Sequence, residues 1–354
     1  MEATIDSNRT EAFAERVQGE LAAAVSAALV YLGDRLGLYR ALARAGALTP
    51  AELAQRCSIA ERYAREWLAN QAASRYLDYD PESGRFALPE EHAAVLADED
   101  SPYSMAGGFV SNAAVFQVLD RLEEAFRTGE GVGYHAHDPR LFHGIERFFR
   151  PAYRTSLVTS WLPALEGVVE RLEAGVAVAD VGCGHGTTIF LMAEAFPRAS
   201  FAGYDDHAGS IETARRRAAA AGLGERVRFE TAPADGLPEE AFELVAFFDS
   251  LHDMGDPVGA AASARRALRP GGTLMVVEPQ AGDRLEENLH PVGRAYYAFS
   301  TLVCTPASLS QEGRRGLGAQ AGETRLREVL TRAGFRSIRR AAESPFNMVL
   351  EARA

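Results

Sequence analysis

The chain has 354 residues, enough for two domains with a sizeable core, and a formal net charge of −12 that disfavours nucleic-acid and anionic-membrane partners. Its 37 basic residues are all arginine, which excludes a Walker lysine and Schiff-base chemistry. Three widely spaced cysteines (Cys57, Cys183 and Cys304) show neither a disulfide framework nor a zinc spacing, so no metal is expected and a reducing, cytoplasmic setting is; no apolar run has the length of a membrane span.

Leu21 to Leu42 is apolar at helical spacing. Thr49-Pro50-Ala51-Glu52 reads as a capping box with proline at the first helical position, and Ser58-Ile-Ala-Glu61 as a second box. The helix after it carries Tyr63, Trp67 and Leu68, an expected core stripe. Tyr76–Tyr79 and Arg85–Leu88, around the turn Asp80-Pro-Glu-Ser-Gly84, read as a hairpin. Helices followed by a hairpin make a winged helix over residues 1–100. Those residues carry 10 arginines against 17 acids, so the module lacks the charge that holds duplex DNA and is expected to dimerise instead. Residues 101–172, with Glu123 and Arg127, are expected to form a helical bridge. Within them Tyr134-His135-Ala-His137-Asp138 has three readings. His-x-His on a strand presents both rings to one face, as a metal site needs; Tyr134 or His135 touches substrate; or the segment is a plain loop. Tyr153, in the helix opened by Arg150-Pro-Ala, is a further substrate candidate.

The most informative run is Val176-Ala-Val-Ala-Asp180-Val-Gly182-Cys183-Gly184-His-Gly186-Thr187. It reads as strand, tight turn and helix, the place where an open α/β sheet receives a nucleotide. Thr187 stands where a dinucleotide fingerprint has its third glycine, so NAD is not expected. Ser200–Tyr204 reads as a second strand, and Asp205 lies about 20 residues past the turn, where an acid accepts from ribose hydroxyls. Alternatively, Asp205 or Asp206 caps the next helix. Arg226–Ala232 is a third strand followed by Pro233-Ala234-Asp235. Phe242–Asp249 is a fourth, apolar enough to be buried on both faces. Leu268–Glu278 is turn and fifth strand, and Phe335–Arg340 with Phe346–Ala352 is a final pair, the last strand antiparallel. The 280–320 insertion, with Tyr296, Tyr297 and Phe299, is too long for a plain connection and reads as an apolar lid.

Asp180-Val-Gly182-Cys-Gly184-His-Gly186 resembles motif I of class I S-adenosylmethionine (SAM) methyltransferases. Asp249-Ser-Leu-His-Asp-Met-Gly-Asp256, Glu278-Pro279, the block from Asn288 through Cys304 and Gln311 to Gly318, and Pro345-Phe-Asn347 extend the likeness. Winged helix, bridge and motif I sheet in this order resemble a bacterial group of winged-helix methyltransferases, similar to plant-type small-molecule O-methyltransferases. Some of that group are labelled transcriptional regulators. The resemblance implies a seven-stranded Rossmann-like sheet over 173–354 behind an N-terminal winged helix. It also implies SAM held by Asp180, Gly182, Cys183, Gly184, Gly186, Asp205, Asp206, Ala234, Asp235 and Asp249, with S-adenosylhomocysteine as product, and a cytoplasmic homodimer acting on a small, partly apolar hydroxyl compound. Tyr134, His135, Tyr153 and Glu278 are candidate substrate contacts. His252 is the candidate general base, expected to titrate in the ordinary imidazole range, about 6–7; it is otherwise a structural histidine at a helix start. Asp253 orients its ring or caps the helix that follows. A metabolite-sensing regulator and a SAM enzyme of non-methylating chemistry are the alternatives.

Overall fold

The computed structural model describes residues 5–354, which divide into two compact units. The first comprises residues up to Ala114 together with His143–Pro151; the second comprises Val115–Phe142 and Ala152–Ala354. The segment expected as a bridge therefore gives residues to both.

In the first unit, α1 (Ser7–Arg35), α2 (Leu38–Ala45), α3 (Pro50–Cys57) and α4 (Glu61–Ala73) precede the hairpin strands β1 (Asp78–Asp80) and β2 (Arg85–Ala87); α5 (Glu90–Leu96) and α6 (Ala106–Val115) follow. The Thr49 box is present: its hydroxyl accepts from Glu52 N–H and the Glu52 carboxylate accepts from Thr49 N–H. The second box is not. Ser58 takes a left-handed conformation (φ 55°) and ends α3, while the N-cap of α4 is Ala60, which offers no side-chain cap. Of the expected core stripe of α4, Trp67 and Leu68 are buried and Tyr63 is not. The buried residues Ala64, Trp67, Leu68 and Gln71 recur at helical spacing, and Tyr63 faces solvent. Trp67 packs edge-on to Tyr39 and donates its indole N–H to the Leu29 carbonyl at 2.9 Å. Both rings lie so close to Gly33 that a Cβ there would stand 2.6 Å from Trp67 and 2.8 Å from Tyr39. A buried ion pair closes the unit: Arg147 makes two bonds to Asp34, 2.7 and 3.0 Å, and a third to Glu99 at 2.9 Å.

In the second unit α7 (Leu119–Thr128), α8 (Arg140–Ser156, its middle counted with the first unit) and α9 (Val168–Ala174) lead into the sheet. The strands are β3 (Ala177–Val181), β4 (Ser200–Asp205), β5 (Val227–Thr231), β6 (Phe242–Phe248), β7 (Leu268–Pro279), β8 (Ser337–Glu343) and β9 (Asn347–Arg353). Their order is β5-β4-β3-β6-β7-β9-β8. The first five pair in parallel; β9 runs antiparallel to both neighbours, as expected of the last strand. Helices α10 (Thr187–Ala195), α11 (Ala208–Ala220) and α12 (Pro257–Ala267) connect parallel strands. The insertion after β7 folds into α13 (Pro291–Phe299), a π-helical turn (Ser300–Cys304) and α14 (Thr305–Leu309), and α15 (Gly322–Arg332) leads to β8. Both faces of the central strands are covered: the consecutive pairs Val178–Ala179, Ala246–Phe247, Met275–Val276 and Val349–Leu350, whose members point to opposite faces, are fully buried, which is why these strands read as near-continuous apolar runs. Strand order reverses between β3 and β6. In open α/β sheets a ligand crevice lies outside the carboxyl ends of the strands at such a point. No single helix among the described residues is long and apolar enough to cross a membrane.

Candidate active site

The carboxyl ends of β3, β4, β6 and β7 bring together most of the residues singled out from the sequence. The turn after β3 holds Gly182, Gly184 and Gly186, all with positive φ (77°, 52° and 82°). Their surroundings differ. A Cβ on Gly182 would meet Ser250 at 2.5 Å and one on Gly186 would meet the Phe229 ring at 2.6 Å, so both glycines serve close packing. A Cβ on Gly184 would meet nothing within 4 Å. The turn is therefore open to a ligand at Gly184. Gly182 and Cys183 both donate N–H to the Tyr204 carbonyl, which ties the turn to β4.

Asp180 lies beneath this turn, buried. Thr188 donates its hydroxyl to one carboxylate oxygen; the other, Oδ1, is buried without a hydrogen-bond partner. Burial, with the charge of Asp205 adding to it, pushes this carboxyl up to about 7. Asp205 accepts from Gly184 N–H at 2.9 Å and from His207 N–H at 2.8 Å. Burial raises its pKa against these two bonds. Neither Asp205 nor Asp206 caps α11. The cap is His207, whose ring nitrogen accepts from Ser210 N–H. Asp206 instead stands 3.6 Å from His135 Nε2. Ala234 and Asp235 lie in the turn after β5, Asp235 exposed.

Tyr134, His135 and Ala136 form a 3-10 turn, not a strand, so the two histidine rings do not share a face. His135 is half exposed and stacks on His207 at 5.0 Å, whereas His137 is buried. Tyr134 packs on Phe142, and Phe142 on His207 at 4.4 Å.

Beyond β6, Asp249 has φ 51° and both its oxygens are engaged: Tyr153 donates its hydroxyl at 2.6 Å and Asn347 its side-chain N–H at 2.8 Å. Burial and the nearby Glu278 push this carboxyl to about 7. His252 follows in a 3-10 turn (Leu251–Asp253) and is buried. Its Nδ1 bonds the Glu278 carboxylate from the end of β7, and Glu278 also accepts from the N–H groups of Leu251 and His252. Its Nε2 lies 3.2 Å from Asp253 Oδ1. Burial alone would favour a neutral ring, but the carboxylates of Glu278 and Asp253 win and hold its pKa well above 6.5. The expectation of an ordinary imidazole titration fails for this reason. Glu278, a candidate substrate contact in the sequence, is buried and is the partner of His252. The sequence reading also missed Cys304, whose buried thiol stands against His252 and Asp253. No spacing signal links it to them, because it comes from the π turn of the insertion, 52 positions later.

Comparison with known proteins decides the class of this sheet: residues 172–334 match the model described as a methyltransferase domain, and residues 23–98 that of an Rv2258c-like winged HTH domain. The chain is 32% identical over 173 residues to the 27-O-demethylrifamycin SV methyltransferase of Amycolatopsis mediterranei (strain S699), an alignment covering 47% of this chain and 63% of that protein. The chain thus spans less than two thirds of that relative. Among solved structures, mitomycin 7-O-methyltransferase MmcR superposes with a TM-score of 0.72 at 20% identity, covering 99% of this chain and 100% of the other. Human N-acetylserotonin methyltransferase, solved with SAM, gives 0.70 at 19%, covering 100% and 99%. At these identities the likeness establishes the fold. The methyltransferase domain carries its glycine turn, Asp205 and the His252–Glu278 pair on one edge of the sheet.

Proposed function

We propose that the chain is a SAM-dependent methyltransferase that moves a methyl group to a hydroxyl of a small, partly apolar molecule. The observation that carries this reading is the His252–Glu278 pair, buried at the same strand ends as the open glycine turn. The residues present fit SAM. Gly184 leaves the turn open to a ligand, and the unpartnered Asp180 Oδ1 calls for a buried donor, which the methionine ammonium provides. Asp205, fixed by two backbone N–H groups, keeps lone pairs for ribose hydroxyls. Cys183, Asp206, Ala234 and Asp235 complete the cofactor surface in this reading. Asp249 belongs to it through Tyr153, whose hydroxyl it orients.

Bound there, SAM supplies a methyl already activated by its sulfonium. The chain's own work is positioning and one proton transfer. His252 Nε2 takes the acceptor's hydroxyl proton, and Glu278 on Nδ1 stabilises the imidazolium that forms. The raised pKa makes this ring a stronger base than free imidazole, on condition that its resting proton leaves first; Asp253, 3.2 Å away, is the acceptor at hand. Tyr134 and His135 border the acceptor in this reading.

Calorimetry checks the cofactor half. SAM is expected to bind and NAD to give no heat, and Asp205→Ala to weaken SAM by about 1–3 kcal/mol through loss of charge-assisted bonds. An unchanged affinity in that variant removes Asp205 from the site.

The winged helix serves dimerisation in this proposal, in a cytoplasmic enzyme, and does not bind nucleic acid. On α4, Arg62 and Arg65 are each paired with a glutamate one turn away, Glu66 and Glu61, which leaves little charge for phosphates. On α1, Phe13, Val17, Leu21 and Val25 recur every fourth residue and are all exposed, three of them by about 65%. A second copy of the chain covers this stripe. Light scattering is expected to give twice the chain mass of 38.2 kDa, and Leu21→Glu with Val25→Glu to give the single mass. A monomeric wild type contradicts the dimer.

A further inference from the structure

We propose that His252 Nε2, Asp253 Oδ1 and Cys304 Sγ form a binding site for one divalent cation of the zinc class, and that filling it closes the base to the acceptor. The second half rests on the reading of His252 as that base.

Three different donors meet here from two separate elements, the turn after β6 and the π turn of the insertion. All three atoms lie within 4.8 Å of one another. The nitrogen and carboxylate oxygen are 3.2 Å apart. Two ligands at zinc bond lengths on a tetrahedral centre stand about 3.3 Å apart, and a nitrogen and a thiolate about 3.6 Å. A shift of no more than about 1.2 Å in the Cys304 side chain therefore completes the tripod.

Two further observations point to a ligand. Asp253 Oδ1 is a buried atom whose neighbours are the other two donors, His252 Nε2 at 3.2 Å and the Cys304 thiol. On the far side of the ring, Nδ1 is held by Glu278. A carboxylate on the second nitrogen is the usual support of a metal-bound histidine; it fixes the tautomer that leaves Nε2 free to coordinate. The donor set selects the ion. A thiolate with an imidazole suits zinc and disfavours magnesium or calcium, which take oxygen ligands. Three protein ligands leave a fourth position for water.

Loading replaces the proton on Sγ, and any on Nε2, by bonds to the cation, and those protons go to the buffer. The cation then occupies the nitrogen lone pair that would take the acceptor's proton, so the site is inhibitory.

The test uses the full chain, stripped with a chelator. Zinc is titrated against a chromophoric chelator, and cobalt(II) serves as a spectroscopic probe. One zinc per chain is expected, with a thiolate-to-cobalt absorption band. Cys304→Ser is expected to lose the band and at least tenfold in affinity, Asp253→Asn to lose affinity but keep the band, and Cys57→Ser to match wild type. Wild type without zinc binding, or Cys304→Ser binding as tightly as wild type, overturns the site. S-adenosylhomocysteine release is then followed at rising zinc. Inhibition reversed by chelator, needing at least tenfold more zinc in Cys304→Ser, supports the block, and a rate unmoved at saturating zinc overturns it. The competition and cobalt readouts need no turnover, so failure of the metal site is distinct from failure of the methyltransferase reading.

Discussion

His252→Ala is expected to lower turnover by about 10²–10⁴ while SAM affinity stays within a few-fold. The separation follows from where the ring stands. It bonds Glu278 and faces Asp253, whereas the groups assigned to SAM are Asp180, Asp205 and the Gly184 turn. Removing the imidazole deletes the proton acceptor and leaves the turn intact. Glu278→Gln is expected to share most of the loss, because an amide neither holds Nδ1–H as a charged partner nor stabilises the imidazolium; the residual rate comes from positioning. Single-turnover rates with saturating SAM, alongside calorimetric affinity, measure the two effects separately. A His252→Ala enzyme with near wild-type single-turnover rate makes the ring structural.

The largest stability effect is expected in the first unit. Asp34 and Arg147 are 5% and 8% exposed and joined by two bonds, with Glu99 and Arg40 beside them. Removing one partner strands a buried charge, so Asp34→Ala or Arg147→Ala is expected to cost about 3–5 kcal/mol in denaturant unfolding. Replacing both together, Asp34→Leu with Arg147→Met, is expected to recover most of it, since an apolar pair needs no desolvation of charge. The pH dependence has a fixed sign. Burial opposes ionisation of Asp34, but the bonds and charge of Arg147 prevail and its pKa is lowered. Its contribution is complete above the unfolded carboxylate value of about 3.9 and is lost as pH falls through the lower native one. Wild type is expected to lose this increment below about pH 4, and the double variant to have none to lose. If each single variant costs less than about 1 kcal/mol, the pair is not the closure of the unit.

The sheet was legible because its strands are buried on both faces, so each appears as an apolar run ending at an acid or a glycine. The glycine turn and Asp205 were legible for the same reason: strand ends have sharp sequence boundaries. Relations between strand ends were not. Glu278 read as a candidate substrate contact at a strand end, since nothing local in Val276-Val277-Glu278 announces a histidine partner 26 positions earlier. Asn347 stood out in Pro345-Phe-Asn347 without a role until its N–H was seen on Asp249. Cys304 carried no metal spacing because the fold, not the sequence interval, places it. Local errors have local causes. Ser58 fits a capping box, but it ends α3 as a left-handed C-cap. Histidine was overlooked as the cap of α11 because its ring acts there as an uncommon acceptor.

The most direct test of the central claim incubates the wild-type enzyme with methyl-labelled SAM and a small-molecule extract of the producing cells, and follows both products by mass spectrometry. The account predicts that one small molecule gains the labelled methyl in equal amount with S-adenosylhomocysteine, and that His252→Ala forms both far more slowly. SAM consumed without S-adenosylhomocysteine, or bound with no labelled product from any acceptor, would contradict it.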